Sequence, residues 1–178
     1  MKPLGALTLT LFGLAFLTMA NPLHAQRERA VQLSLLTPAQ LFPETDAVGG
    51  VRINFLYGRN TRVHGLDLGL VNHTTRGTSK GVQIGVVSLN DANFTGWQYG
   101  AVNIVEGKFE GFQQGFYNGS EAASGFQLGF VNTAQNFKGL QLGLVNYARQ
   151  MNGLQIGIVN IIKQDGAFPV FPIVNWSF

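Results

Sequence analysis

The sequence predicts an all-β domain, and three observations carry that prediction. A pattern of Gly, hydrophobic, Gln, hydrophobic, Gly, hydrophobic, Val, Asn recurs from residue 65, with copies starting at Gly65, Gly81, Gly96, Gly111, Gly125, Gly139 and Gly153. Within each copy apolar residues alternate with small or polar ones. Period two is the signature of a strand, whereas a helix needs apolar residues three and four apart. Finally, 23 of the 178 residues are glycine, a content that long helices tolerate badly. A period this regular marks a repeat architecture.

The chain opens on an address rather than on structure. Met1 and Lys2 form a positive start, an apolar run extends from Leu4 to Leu17, and Leu23-His24-Ala25 precedes the polar Gln26-Arg27-Glu28-Arg29. This is the layout of a secretory signal peptide. The expected leader is residues 1–25, with cleavage after Ala20 as the alternative, and residues 26–178 are expected to form a single all-β domain. Val31, Leu33 and Leu35 then alternate with Gln32 and Ser34, a first strand. Val51, Ile53, Phe55 and Tyr57 alternate with Arg52, Asn54 and Gly58, a second. The stretch from Thr37 to Ala47, with Pro38, Pro43 and Asp46, is the longest loop.

Seven repeat strands follow between residues 65 and 160. They are linked by turn-like segments such as His73-Thr74-Thr75-Arg76-Gly77 and Asn90-Asp91-Ala92-Asn93. In the clearest copy Leu140, Leu142 and Leu144 face one way, and Gln141, Gly143 and Val145 the other. A last strand places Phe168, Val170, Val174, Trp176 and Phe178 on one parity.

Two architectures accommodate these strands. The preferred one is about ten antiparallel strands closing as a small outer-membrane β-barrel, with leucines toward lipid and Gln, Gly, Ser and Asn toward a lumen. It explains the even strand count and the aromatic last strand, and it allows a narrow pore. The alternative is a parallel β-solenoid with one repeat of 14–16 residues per coil, leucines inside and amide ladders outside, where a Gln/Gly face would bind a ligand. In its favour, every copy looks equivalent, while antiparallel strands alternate in direction. Against the barrel, Gln114 would face lipid, and Pro169 and Pro172 would each lose a ladder hydrogen bond. The two differ in contacts. A hairpin about Arg149-Gln150 puts Leu144 opposite Leu154 and Gln141 opposite Gly157, whereas stacked coils put Gln141 beside Gln155.

The repeat glutamines Gln83, Gln98, Gln113, Gln127, Gln141 and Gln155 are expected to bond along or across the sheet. Asp67 occupies the same slot in the first copy. Hairpin pairing about Arg59-Asn60 brings Arg52 beside Asp67 on the polar parity, so a cross-strand ion pair is expected there.

Little chemistry accompanies the pattern. There is no cysteine, so disulfides and thiolate metal sites are excluded. His64 and His73 stand at opposite ends of one strand without clustered acids, which argues against a metal site. No nucleophile elbow or phosphate-cradling loop occurs. Glu106 and Glu110, around Gly107-Lys108-Phe109, read as a solvated turn. No cofactor is expected. The excess of 12 Lys+Arg over 9 Asp+Glu is sparse and scattered, which argues against nucleic acid as a partner.

Two resemblances add to this reading. The Gly-x-Gln-x-Gly-x-Val-Asn units, opened by Val31-Gln32-Leu33-Ser34, resemble a bacterial surface-repeat family of the outer envelope, over roughly residues 30 to 178. That likeness implies a cell-surface or outer-membrane location and carries no catalytic residue. Val174, Trp176 and Phe178 resemble the C-terminal sorting signal of Gram-negative outer-membrane barrels. This implies outer-membrane lipid and the barrel-assembly machinery as partners. The expectation is a non-enzymatic envelope protein of unspecified ligand.

Overall fold

The computed structural model describes residues 27–178, so the leader expected over residues 1–25 lies outside the described residues. All regular structure among them is β: β1 (Glu28–Leu36), β2 (Ala39–Gln40), β3 (Ala47–Asn60), β4 (His64–Thr74), β5 (Thr78–Asn90), β6 (Asn93–Tyr99), β7 (Val102–Gln164) and β8 (Val170–Ser177). β7 winds through several coils without interruption. The strands pair in parallel from β1 to β3 and onward through β7, and among the described residues antiparallel pairing occurs only at the two ends, β1 with β2 and β7 with β8.

The molecule is therefore a β-solenoid, and the barrel expectation is corrected. The register gives the physical reason. Gly81 pairs with Gly96 and Gly96 with Gly111, while Gln83 pairs with Gln98 and Gln98 with Gln113. Parallel stacking sets like side chains on one another, so most buried amides of the repeats meet another amide. Gln141 accordingly accepts from Gln155 at 2.8 Å. The antiparallel alternative would have set Gln141 against Gly157 and left the amide without a partner, a costly outcome for a buried polar group.

A second expectation is reversed as well. In the solenoid the leucines were to point inward and the amides outward. Instead the repeat glutamines and most of the asparagines are fully buried, while Leu144, Phe116 and Ile158 are exposed. The interior is divided. One part holds two columns of stacked amides. The other is an apolar column of Phe94, Val105, Phe109, Ala123, Ala134, Phe137, Ala148, Met151 and Ile162. Phe94 and Phe109 stack nearly parallel, with centroids 6.3 Å apart. Side chains fill the interior, so the narrow pore imagined for a barrel has no lumen here.

The glycine that opens each copy is a structural requirement. From Gly65 to Gly153 these residues have φ between 119° and 147°, a region that side chains avoid. A Cβ on Gly125 would also lie 2.1 Å from the carbonyl oxygen of Gly111 in the coil before.

Both ends of the stack are covered. At the N-terminal end the loop after β1 folds back, and Gln32 exchanges two hydrogen bonds with the main chain of Phe42, at 2.8 and 3.0 Å. At the other end β8 lies antiparallel on the last coil, pairing Leu154 with Trp176 and Ile156 with Val174. Its register slips between Gly157 and Asn160, opposite Pro172 and Ile173. Proline is tolerated there because β8 is an edge strand. The objection that proline raised against a closing barrel strand does not arise for a cap.

Candidate functional site

The inside of the coil shapes its outside. From Asn103 onward each repeat asparagine makes two hydrogen bonds from its amide nitrogen. In the C-terminal coils Asn118 donates to Asn132, Asn132 to Asn146 and Asn146 to Asn160, at 2.8–2.9 Å. The second hydrogen goes to a main-chain oxygen one coil on: Leu128 from Asn118, Leu142 from Asn132 and Ile156 from Asn146. These bonds hold the strand against the asparagine column beside the second glycine of the motif. A Cβ on Gly143 would lie 2.4 Å from Gly129 O and 2.6 Å from Asn132 Nδ2. Only glycine fits, so the outward residues before and after it stand apart over bare backbone.

Stacked coil on coil, these glycines floor a groove of about 560 Å³. The floor is Gly85, Gly100, Gly115, Gly129 and Gly143. One wall holds Tyr99, Gln114, Leu128 and Leu142, and the other Val86, Ala101, Phe116, Phe130 and Leu144. No charged residue lines it. Within the floor Gly100 N donates to Gln114 O at 3.0 Å. Phe116 stacks on Phe130 with centroids 4.9 Å apart, and beyond the opposite wall Trp97, Phe112 and Phe126 form a second aromatic row.

The apolar character extends beyond the groove. Leu70, Val86, Phe116, Phe130, Leu144 and Ile158 form one outward row, with Phe116 62% and Ile158 66% exposed. Lys108 pairs with Glu110 at 2.5 Å and both side chains are solvated. The turn expected over residues 106–110 is instead continuous strand within β7, with Phe109 buried between the two charges.

The sequence-selected residues fall as follows. Arg52 and Asp67 are buried and joined bidentately, Nε to Oδ1 and Nη2 to Oδ2, each at 2.7 Å. They meet through parallel register, not through the hairpin that suggested them. Asp67 also accepts from Gln83 Nε2 at 2.8 Å, which makes the pair the terminus of the glutamine column. Gln83, Gln98, Gln113, Gln127, Gln141 and Gln155 are interior, so the proposed Gln/Gly binding face is not a surface. Val174 is half-buried in the cap, while Trp176 and Phe178 are exposed at the end of the stack.

One cluster escaped the sequence reading. Tyr57 OH lies 2.7 Å from His73 Nδ1, and His73 Nε2 lies 2.8 Å from Asp91 Oδ1. Burial pushes the Tyr57 phenol up from its ordinary value; Arg59 opposes the shift. The His73 ring thus bridges the Tyr57 phenol and the Asp91 carboxylate, one nitrogen to each. Tyr57 lies on β3, His73 on β4 and Asp91 just past the end of β5, 16 and 18 positions apart, and the irregular first coils hide that spacing. The groove is lined by other residues, so the cluster is a surface clasp between coils. His64 bonds Thr78 O through Nε2 and stands apart from it. Among the described residues no three His, Cys, Asp or Glu side chains are grouped to hold a metal.

No family model matches the chain, and neither the curated proteins nor the solved structures contain a significant match.

Proposed function

We propose that this chain is an exported, non-enzymatic structural protein of the bacterial outer envelope, and that its solenoid seats its apolar flank against membrane lipid. The observation that carries the reading is the inverted coil. Amides occupy the interior and contiguous rows of Leu, Val, Ile and Phe face out, with Leu144, Phe116, Phe130 and Ile158 all strongly exposed. A contiguous exposed apolar surface of this kind marks an interaction site. Its affinity for a bilayer grows with the apolar area that it buries. The signal-peptide layout of residues 1–25 and the surface-repeat resemblance support export to the envelope.

Vesicle flotation tests this. The chain without residues 1–25, mixed with phospholipid vesicles, is expected to float with them. The triple variant Phe116→Asp, Phe130→Asp, Ile158→Asp is expected to stay at the bottom of the gradient. A wild-type chain that remains at the bottom sinks the proposal.

A further inference from the structure

The geometry points to a more specific ligand: the glycine-floored groove takes a single lipid acyl chain, laid along the solenoid axis. This rests on the lipid-facing reading of the same flank and adds a site, a stoichiometry and a length.

Three features select that occupant. The first is length. The floor from Gly85 to Gly143 spans four coil steps, which at ~4.8 Å per step is about 19 Å, the span of about fifteen extended methylenes. The volume of about 560 Å³ is of the size that binding pockets have. The second is charge. Neither floor nor walls carry a charged side chain, and a groove without charge matches the tail of an amphiphile and not its head. The head group then lies beyond the groove, in solvent or at the bilayer surface. The third is how the main chain beside the floor is bonded. Gly100 N donates to Gln114 O, and Asn103, Asn118 and Asn132 donate to the carbonyls of Gln114, Leu128 and Leu142, so these carbonyls are engaged within the stack and offer little to the edge of an extended peptide. Gln114 is the one amide side chain in the walls, set at mid-groove, where a chain with a kink or an oxidised carbon would meet it.

Ala101 is the handle for a test. It is the smallest wall residue, so Ala101→Trp fills the groove from outside while keeping the flank apolar. Saturated fatty acids from eight to twenty-two carbons, each below its micellar concentration, are titrated into the protein by calorimetry, and vesicle flotation is run in parallel. Expected are one chain per protein, affinity rising roughly fourfold per methylene up to about sixteen carbons, and a plateau beyond. Ala101→Trp is expected to weaken palmitate binding at least tenfold, with flotation unchanged.

Affinity that keeps climbing to twenty-two carbons would overturn the groove, because an unbounded apolar surface behaves so. Palmitate binding that survives Ala101→Trp would overturn it too. Either result with flotation intact leaves the lipid-facing flank standing. Loss of flotation by the wild type removes the flank reading itself. A stable dimer that palmitate does not disturb would assign the groove to a second copy and refute the acyl chain.

Discussion

The two amide columns inside the coil look alike and do different work. The glutamine column is unbroken from Gln83 to Gln155, and each Nε2 donates toward the N-terminal end, at 2.7–2.8 Å. Its polarity is set at Asp67, a carboxylate that can only accept. The asparagine column donates the opposite way, because its second hydrogen must reach a main-chain oxygen in the following coil. It is also interrupted. Ser88 holds an asparagine slot, and both Ser88 Oγ and Asn103 Oδ1 are buried without a partner. A column that bonds mainly along itself, from coil to coil, holds the coils in register. A column that also bonds the backbone shapes the sheet, and through it the groove outside.

The largest effect is expected at the start of the glutamine column. Arg52→Met leaves Asp67 buried and unpaired and should cost about 3–5 kcal/mol, read as a fall in thermal midpoint. The double variant Arg52→Gln, Asp67→Gln extends the amide column by two members and should recover all but about 1 kcal/mol. If the double variant is as unstable as the single one, the pair does more than terminate the column.

The next test sets the columns against each other. Gln113→Leu strands Gln98 Oε1 and Gln127 Nε2, for about 2–3 kcal/mol, while Asn132→Leu also strands the carbonyl of Leu142 and should cost about 1 kcal/mol more. Equal losses in urea titrations would mean that the backbone bond contributes nothing. Repair is expected to be smaller in size. Ser88→Asn supplies a donor to Asn103 and should stabilise by about 1 kcal/mol, seen as a higher urea midpoint with unchanged slope.

The smallest effect separates this inner network from the outer clasp. The Tyr57 phenol is raised above 10.0 in the folded chain, so the folded state holds that proton more tightly than the unfolded one. The contribution is complete below pH 10 and is lost as pH rises through the folded value. Wild type should therefore lose more stability than Tyr57→Phe between pH 9 and pH 11, while the two columns, built of amides, stay indifferent to pH. Parallel pH dependence in the two proteins would remove Tyr57 from this role.

Much of this was legible in the residues. Alternation identified the strands, the spacing identified the repeat, and shared parity placed Arg52 with Asp67 and the glutamines with one another. Hairpin and stacked registers happen to agree on Arg52 and Asp67, so that pair was found through a pairing that the fold does not use. The groove was not legible. It depends on the asparagine amides reaching a carbonyl in the next coil, and on a glycine that reads in the sequence only as a small residue.

The sequence by itself determined that the chain is β, where it repeats and which residues share a face. Only the tertiary structure decided which face is inside. Alternation is symmetric between the two sides of a strand, and hydrophobicity alone would have turned the leucines inward. The choice was made by translation from coil to coil. It stacks identical amides at hydrogen-bonding distance, bonds them to one another, and leaves the apolar rows to face outward.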